Sequence, residues 1–192
     1  MFTALLDTSV LWPSLQRDLL LSLAVEGLFR PVWSSAILAE LEFHEARKLV
    51  GRGADSVDAA QRAHRLVQQM NFAFGDAETV GWESLEGSFG LPDPDDEHVA
   101  AAAVVAGAAV IVTANLRDFP AAKLPAGLKA VPPADFAEDT IAVDPARAAR
   151  AVDSIVTRSG RRGESWTRSQ VLTLLDERYG WKQATDLIRG LS

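Results

Sequence analysis

Phe2-Thr3-Ala4-Leu5-Leu6-Asp7-Thr8-Ser9-Val10 decides the fold. Its short apolar run has strand length and ends in a carboxylate followed by two hydroxyls, which predicts a buried strand with polar groups at its carboxyl end. Three further segments repeat the arrangement. Pro31-Val32-Trp33-Ser34 leads into a helix carrying Glu40. Leu91-Pro92-Asp93-Pro94-Asp95-Asp96-Glu97-His98-Val99 runs straight into an alanine-rich helix. Val110-Ile111-Val112-Thr113-Ala114-Asn115-Leu116-Arg117-Asp118-Phe119 again ends a strand with oxygen-bearing groups. In an open α/β sheet the carboxyl ends of the strands face one crevice, where ligands bind. Carboxylates gathered there repel one another unless a cation or protons compensate. Hard divalent ions prefer such oxygen ligands. The pattern predicts a metal-assisted reaction on an anionic substrate.

Outward from these segments, strands and helices alternate. Leu15, Leu19, Leu23 and Ala24 have helical spacing between Pro13 and Gly27. Ser34 is a suitable N-cap for a helix over Ile37, Leu38, Leu41 and Leu49, which Gly51-Arg52-Gly53 breaks. A third helix is expected from Asp55 to about Asn71, then a helical or irregular segment to Phe89. The helix after Pro94 is expected to run to about Ala106, followed by a buried strand from Ala109 to Thr113 and a weak last strand from Leu128 to Val131. This order predicts βαβα units with a mainly parallel sheet and helices on both faces.

Pro132-Pro133 through Pro145 reads as a joint. Beyond it, helices are expected near Pro145–Arg158, Trp166–Tyr179 and Trp181–Leu191, with Ser159-Gly160-Arg161-Arg162-Gly163 and Gly180 as breaks and Ser165 or Thr167 as a cap. The tail is rich in Ile155, Trp166, Val171, Leu172, Leu175, Tyr179, Trp181 and Leu187. It either packs back onto its own domain or offers part of that surface to a partner.

Composition narrows the chemistry. The 192 residues suit one domain of ordinary size, or one with a small appendage. With no cysteine, a disulfide, a zinc-thiolate site and a thiol nucleophile are excluded. The three histidines, His44, His64 and His98, are too few and dispersed for a histidine-based zinc site. The chain starts directly in a strand pattern, without a basic and then apolar leader. The apolar stretch Val99–Ala114 is alanine-rich, interrupted by Gly107 and too short to span a membrane, so a soluble cytoplasmic protein is expected. The net charge of −7 conceals an asymmetry. Residues 1–142 hold 10 basic and 20 acidic residues, whereas residues 143–192 hold nine basic and six acidic ones. Whole-chain acidity argues against non-specific coating of nucleic acid. The tail's eight arginines suit phosphate or carboxylate partners, or form a solvated helical surface.

Together the four segments resemble those of PIN-domain proteins, and among these the VapC-type ribonuclease toxins of bacterial toxin–antitoxin modules. Leu6-Asp7-Thr8-Ser9-Val10 resembles the first PIN motif, and Ser34-Ser35-Ala36-Ile37-Leu38-Ala39-Glu40 the second. Asp93 to Ala101 resembles the third, and Thr113 to Phe119 the fourth. The resemblance implies a three-layer α/β/α PIN-like domain over residues 1–135, with residues 136–192 as a C-terminal helical extension of the kind found in some of these proteins. It further implies an endoribonuclease that uses Mg2+, or Mn2+, to hydrolyse RNA phosphodiesters, a cognate antitoxin that restrains it, and a homodimer.

By the same resemblance Asp7, Glu40 and Asp96 are the metal ligands and principal catalytic acids, and Asn115 completes the set where other members carry Asp. A phosphodiester is anionic, and its leaving oxygen gains charge as the bond breaks. A divalent ion offsets that charge and activates water. Neutral Asn115 is a weaker ligand that instead orients water or a neighbouring carboxylate, and Asp118 is a candidate to supply the missing charge. Ser9, Asp93 and Thr113 are supporting candidates. Each residue has a plainer alternative. Asp7 forms an Asx-turn with Ser9. Glu40 is a solvated helix charge near Glu42 and Glu45. Asp93, Asp95 and Asp96 favour a helix N-terminus. Asp118 orders its loop, and Ser9 and Thr113 cap backbone. His44 is expected as a packing or surface residue, because metal-assisted hydrolysis needs no histidine base. Two other functions fit the same residues: a PIN-like module that binds RNA or protein without cleavage, and a metal-dependent phosphohydrolase on a small phosphoester. The second lacks an Asp-x-Asp motif after the first strand and a Gly-rich phosphate loop.

Overall fold

The computed structural model describes residues 2–160 and 164–191. Among these residues five parallel strands form one sheet in the order β3-β2-β1-β4-β5. They are β1 (Thr3–Leu6), β2 (Arg30–Ser34), β3 (Glu78–Thr79), β4 (Val110–Val112) and β5 (Lys129–Val131). The expected α/β class and parallel sheet are present. The central strand β1 pairs with β4 through Ala4↔Val110, Leu5↔Ile111 and Leu6↔Val112, and Asp7 N–H extends that ladder to Val112 O at 3.1 Å. Ala4, Leu5 and Leu6 are fully buried, in the unbroken apolar run of a central parallel strand.

The described residues divide into two compact units. One comprises Phe2–Trp12 and Pro31–Val131. It contains the single turn α1 (Thr8–Leu11), the helices α3 (Ser35–Gly51) and α4 (Ser56–Ala73), and α5 (Glu97–Val105). Helix α3 packs on α4 and α1, while α5 packs on β1 and β4. Ser34 caps α3 as expected, its Oγ accepting from Ile37 N–H at 3.2 Å. Asp55 caps α4. The short strand β3 lies in the segment expected to be helical or irregular. Two residues are too few to show strand periodicity, and tertiary bonds define it instead. Trp33 pairs in register with Glu78, Trp33 Nε1 donates to Asn71 Oδ1 at 3.1 Å, and Asn71 Nδ2 donates to Glu78 Oε2 at 2.9 Å.

The other unit joins Pro13–Arg30 to the chain from Pro132 onward. It contains α2 (Ser14–Val25), α6 (Pro133–Val143), α7 (Pro145–Arg158), α8 (Arg168–Tyr179) and α9 (Lys182–Arg189). Within this unit α2 contacts α7 and α8. The expected joint is itself a helix. Pro133 fits its first turn, where no N–H is needed, and Phe136, Ala137, Thr140 and Ile141 recur with helical spacing on its buried side. Thr167 and Gln170 form a reciprocal capping box for α8, and Gly180 ends it in the left-handed conformation that glycine adopts without strain. Of the expected break Ser159–Gly163, residues Arg161, Arg162 and Gly163 lie outside the described residues.

The tail's apolar residues are largely core. Ile155, Val171, Leu172, Leu175 and Trp181 are buried, and Phe29 meets Phe136 edge-on with ring centres 4.9 Å apart. Several tail arginines bind carboxylates of their own unit. Arg150 pairs with Glu26 at 2.9 Å, Arg168 with Asp153 and Arg189 with Asp176 at 2.8 Å. Among the described residues no helix is long and apolar enough to cross a membrane.

Candidate functional site

The first unit gathers the four acidic segments. Because β1 and β4 are parallel neighbours, Asp7 and Thr113 leave the sheet at the same edge. Asp7 is 6% exposed, so its carboxylate must be compensated there. Ser9 Oγ donates to its Oδ2 at 2.6 Å, and Thr113 Oγ1 donates to the same oxygen at 2.7 Å. The second carboxylate oxygen takes neither bond. Ser9 Oγ in turn accepts from Ala114 N–H at 3.0 Å, and Thr113 Oγ1 accepts from Asn115 N–H at 3.0 Å. The Ser9 contact is made by the hydroxyl and not by the backbone N–H, so Asp7 makes no side-chain cap to its own turn, and both hydroxyls link it to the backbone after β4.

Glu40 is half-buried and held from two directions. Thr8 Oγ1 donates to its Oε2 at 2.6 Å, and His98 Nε2 lies 3.0 Å from its Oε1. Burial raises the Glu40 pKa, but the hydrogen bonds from His98 and Thr8 and the charges of His98 and His44 outweigh it, and the net shift is downward. His98 responds in the opposite sense. Burial disfavours its charge, while Glu40, Asp7 and Asp96 favour it more strongly, and its pKa is raised. Asp96 closes the short 3-10 turn Pro94–Asp96 that leads into α5. Burial, and then the charges of Asp7, Asp118 and Asp93, push its pKa up to about 6.

Asp7, Glu40, Asp96 and Asn115 line one open cavity of about 430 Å³, together with Thr8, Ser9, Trp12 and His44. Three other sequence candidates are not among its lining residues. Thr113 supports Asp7, Asp93 Oδ1 accepts from Asp95 N–H at 3.0 Å, and Asp118 accepts from Asn115 Nδ2. The Asp118 bond fixes the Asn115 amide with its nitrogen toward Asp118. His44, expected as a packing or surface residue, borders the cavity.

Thr8, Trp12 and His98 are not among the residues that the sequence singles out. Thr8 sits inside the first motif and His98 two residues after Asp96, so proximity was the available signal. Their contacts with Glu40 span 32 and 58 residues and are visible only in three dimensions. Glu97, between Asp96 and His98, is structural: its carboxylate accepts from Leu91 N–H at 2.7 Å and Phe89 N–H at 3.0 Å.

The residues suit a hard cation by their chemistry. Among the described residues no three His, Asp or Glu side chains form a ready-made metal cage. Nevertheless, the cavity presents oxygen donors from Asp7, Glu40 and Asp96, and Asp96 resists ionisation because of its burial and then of the carboxylates around it. A divalent ion relieves that repulsion.

A parallel α/β fold with an acidic cavity at the carboxyl ends of its central strands defines the class. The PIN-domain family model matches residues 3–117, and the chain belongs to the PIN-domain family. No curated protein and no solved structure matches the chain. Membership supports nuclease-type hydrolysis in general terms.

Proposed function

We propose that this protein is a Mg2+- or Mn2+-dependent endoribonuclease toxin of the VapC type, restrained by a cognate antitoxin. The observation that carries the reading is the meeting of Asp7, Glu40, Asp96 and Asn115 around one cavity within a PIN domain. Residues 1–135 are the nuclease portion in this reading, and residues 136–192 its helical extension.

Asp7, Glu40 and Asp96 would hold the ion, with Asn115 beside them. When bound, the ion supplies Lewis-acid stabilisation of charge on the phosphoryl oxygens. The chain's own residues prepare the site. Ser9 and Thr113 fix one oxygen of Asp7, while Thr8 and His98 fix both oxygens of Glu40. These donors favour the ionised carboxylates and limit their rotation, so less ordering remains when phosphate arrives. Asp118 similarly restrains Asn115.

The antitoxin and a homodimer follow from resemblance to the toxin group. A basic side chain of the antitoxin would pair with Glu40 or Asp96 in this acidic cavity. Cleavage of defined RNAs by the purified chain, with Mg2+, Mn2+ or EDTA, tests the reading. Metal-dependent endonucleolytic cuts are expected. RNA that is bound but never cut with either ion would instead favour a binding module.

A further inference from the structure

The wall of the acidic cavity continues onto exposed aromatic rings. Trp12 and His44 line the cavity, and Trp12 is 42% exposed. The ring centres of Trp12 and His44 are 6.5 Å apart, and those of His44 and Phe43 are 5.4 Å apart. Phe43 is 58% exposed. Cations accompany this row. The Arg47 guanidinium lies 5.5 Å from the centre of the Phe43 ring, and Lys48 Nζ lies 5.8 Å from that of Trp12.

The row is held in place. Trp12 Nε1 donates to His44 O at 3.3 Å, and Lys48 Nζ donates to Trp12 O at 3.4 Å. Lys48 also pairs with Glu45, which makes it an anchor for the Trp12 end. Arg47 is exposed at the Phe43 end.

We propose that Trp12, His44 and Phe43 form a stacking strip, with Arg47 at its outer end, that holds unpaired nucleotides beside the phosphate to be cleaved. This rests on the ribonuclease reading and deepens it. Aromatic rings interleaved with cations suit single-stranded nucleic acid, because bases present flat π-faces and the backbone is anionic. Continuity with the cavity places the strip next to the reacting phosphate. Bases locked inside a duplex cannot splay onto such rings, so the strip selects unpaired RNA.

The test uses the full chain carrying Asp7→Asn to suppress cleavage. The probe is a fluorescein-labelled RNA octamer, single-stranded or annealed to its complement, with 2-aminopurine placed at successive positions. Trp12→Leu is expected to weaken single-strand binding by about 5- to 150-fold, the range of one lost base stack. Trp12→Phe, which retains an aromatic face, should recover most of that loss. Quenching of 2-aminopurine at one position should disappear in Trp12→Leu and return in Trp12→Phe. Arg47→Gln should flatten the dependence of log affinity on log salt by about 0.7, the loss of one phosphate contact. Equal binding by Trp12→Leu and the Asp7→Asn parent, or equal quenching, overturns the strip. Should Trp12→Leu not fold, unchanged affinity in both Phe43→Leu and Arg47→Gln overturns it. Cleavage of the same octamer by the wild-type chain is measured in parallel. Cleavage without these binding effects removes the strip alone, whereas neither cleavage nor binding removes the ribonuclease reading as well.

Discussion

His98 Nε2 lies 3.0 Å from Glu40 Oε1 and joins the helix of the second acidic segment to that of the third. The Glu40 carboxyl group is held below its usual pKa, and an ionised carboxylate only accepts. His98 therefore donates through Nε2. The His98 ring is buried, packs near Trp82 with centres 5.9 Å apart, and its Nδ1 has no hydrogen-bond partner among the described residues. This contact makes His98 a positioning residue for Glu40.

His98→Leu should therefore weaken Mn2+ binding and RNA cleavage by about 10- to 100-fold, as expected for loss of a ligand's supporting hydrogen bond. His98→Gln keeps a donor and should recover part of both. Mn2+ affinity measured by spin resonance, alongside cleavage rate, checks this. If Leu and Gln substitutions lower both quantities equally, the role is packing instead of hydrogen bonding.

The crowded carboxylates predict a pH effect. Asp96 has its pKa raised from 3.8 to about 6 by burial and then by Asp7, Asp118 and Asp93. A raised folded-state pKa contributes stability that is present below pH 3.8 and lost as pH rises through about 6. Without metal, Asp96→Asn should remove that loss and leave the chain at least as stable at pH 7 as the wild type. Metal binding requires the ionised group, so Mn2+ affinity should increase from pH 5 to pH 7 in the wild type, with proton release. Denaturant unfolding and calorimetry at both pH values check the two signs. A wild-type affinity that is flat over this interval would remove Asp96 from the ligand set.

The sequence made much of this site legible, for a local reason. Asp7, Asp96 and Asn115 each stand where an apolar run meets a polar turn, so their place at strand or helix ends follows from neighbours in sequence. Glu40 was harder to place, because Glu42 and Glu45 lie on the same helix and only Thr8 and His98 single it out. The fold shows the same division. Ser34, Asp55 and Gly180 announced their helix ends by residue type, while β3 depends on the distant pair Trp33 and Asn71. Helix α6 was hidden by Pro132 and Pro133, which read as a break although proline is tolerated in a helix's first turn.

The tail helices should be needed for folding of their unit. Ile155 is 3% exposed on α7, which packs on α2. Ile155→Ala should cost about 2–5 kcal/mol by urea unfolding, the range for deleting a buried aliphatic side chain. Truncation after Asp139, which cuts α6 and removes α7–α9, should give aggregated protein. A truncated chain that stays folded and cleaves RNA but no longer binds its antitoxin would make the tail a partner element.

Product chemistry separates hydrolysis from transesterification. Attack by activated water needs no 2′-hydroxyl nucleophile, so the fragments should carry 5′-phosphate and 3′-hydroxyl ends. End-group labelling and mass spectrometry read this out. A 2′,3′-cyclic phosphate would show that the mechanism is different.

The most direct measurement is cleavage of one defined RNA by wild-type and Asp7→Asn proteins of equal thermal stability, each with Mn2+ and with EDTA. The wild type should cut only with the ion. Asp7→Asn should be slower by at least about 10²-fold, the scale for removing a principal charge-stabilising group. Undiminished cleavage by folded Asp7→Asn, or wild-type cleavage that persists in EDTA, would contradict a metal-dependent ribonuclease centred on Asp7.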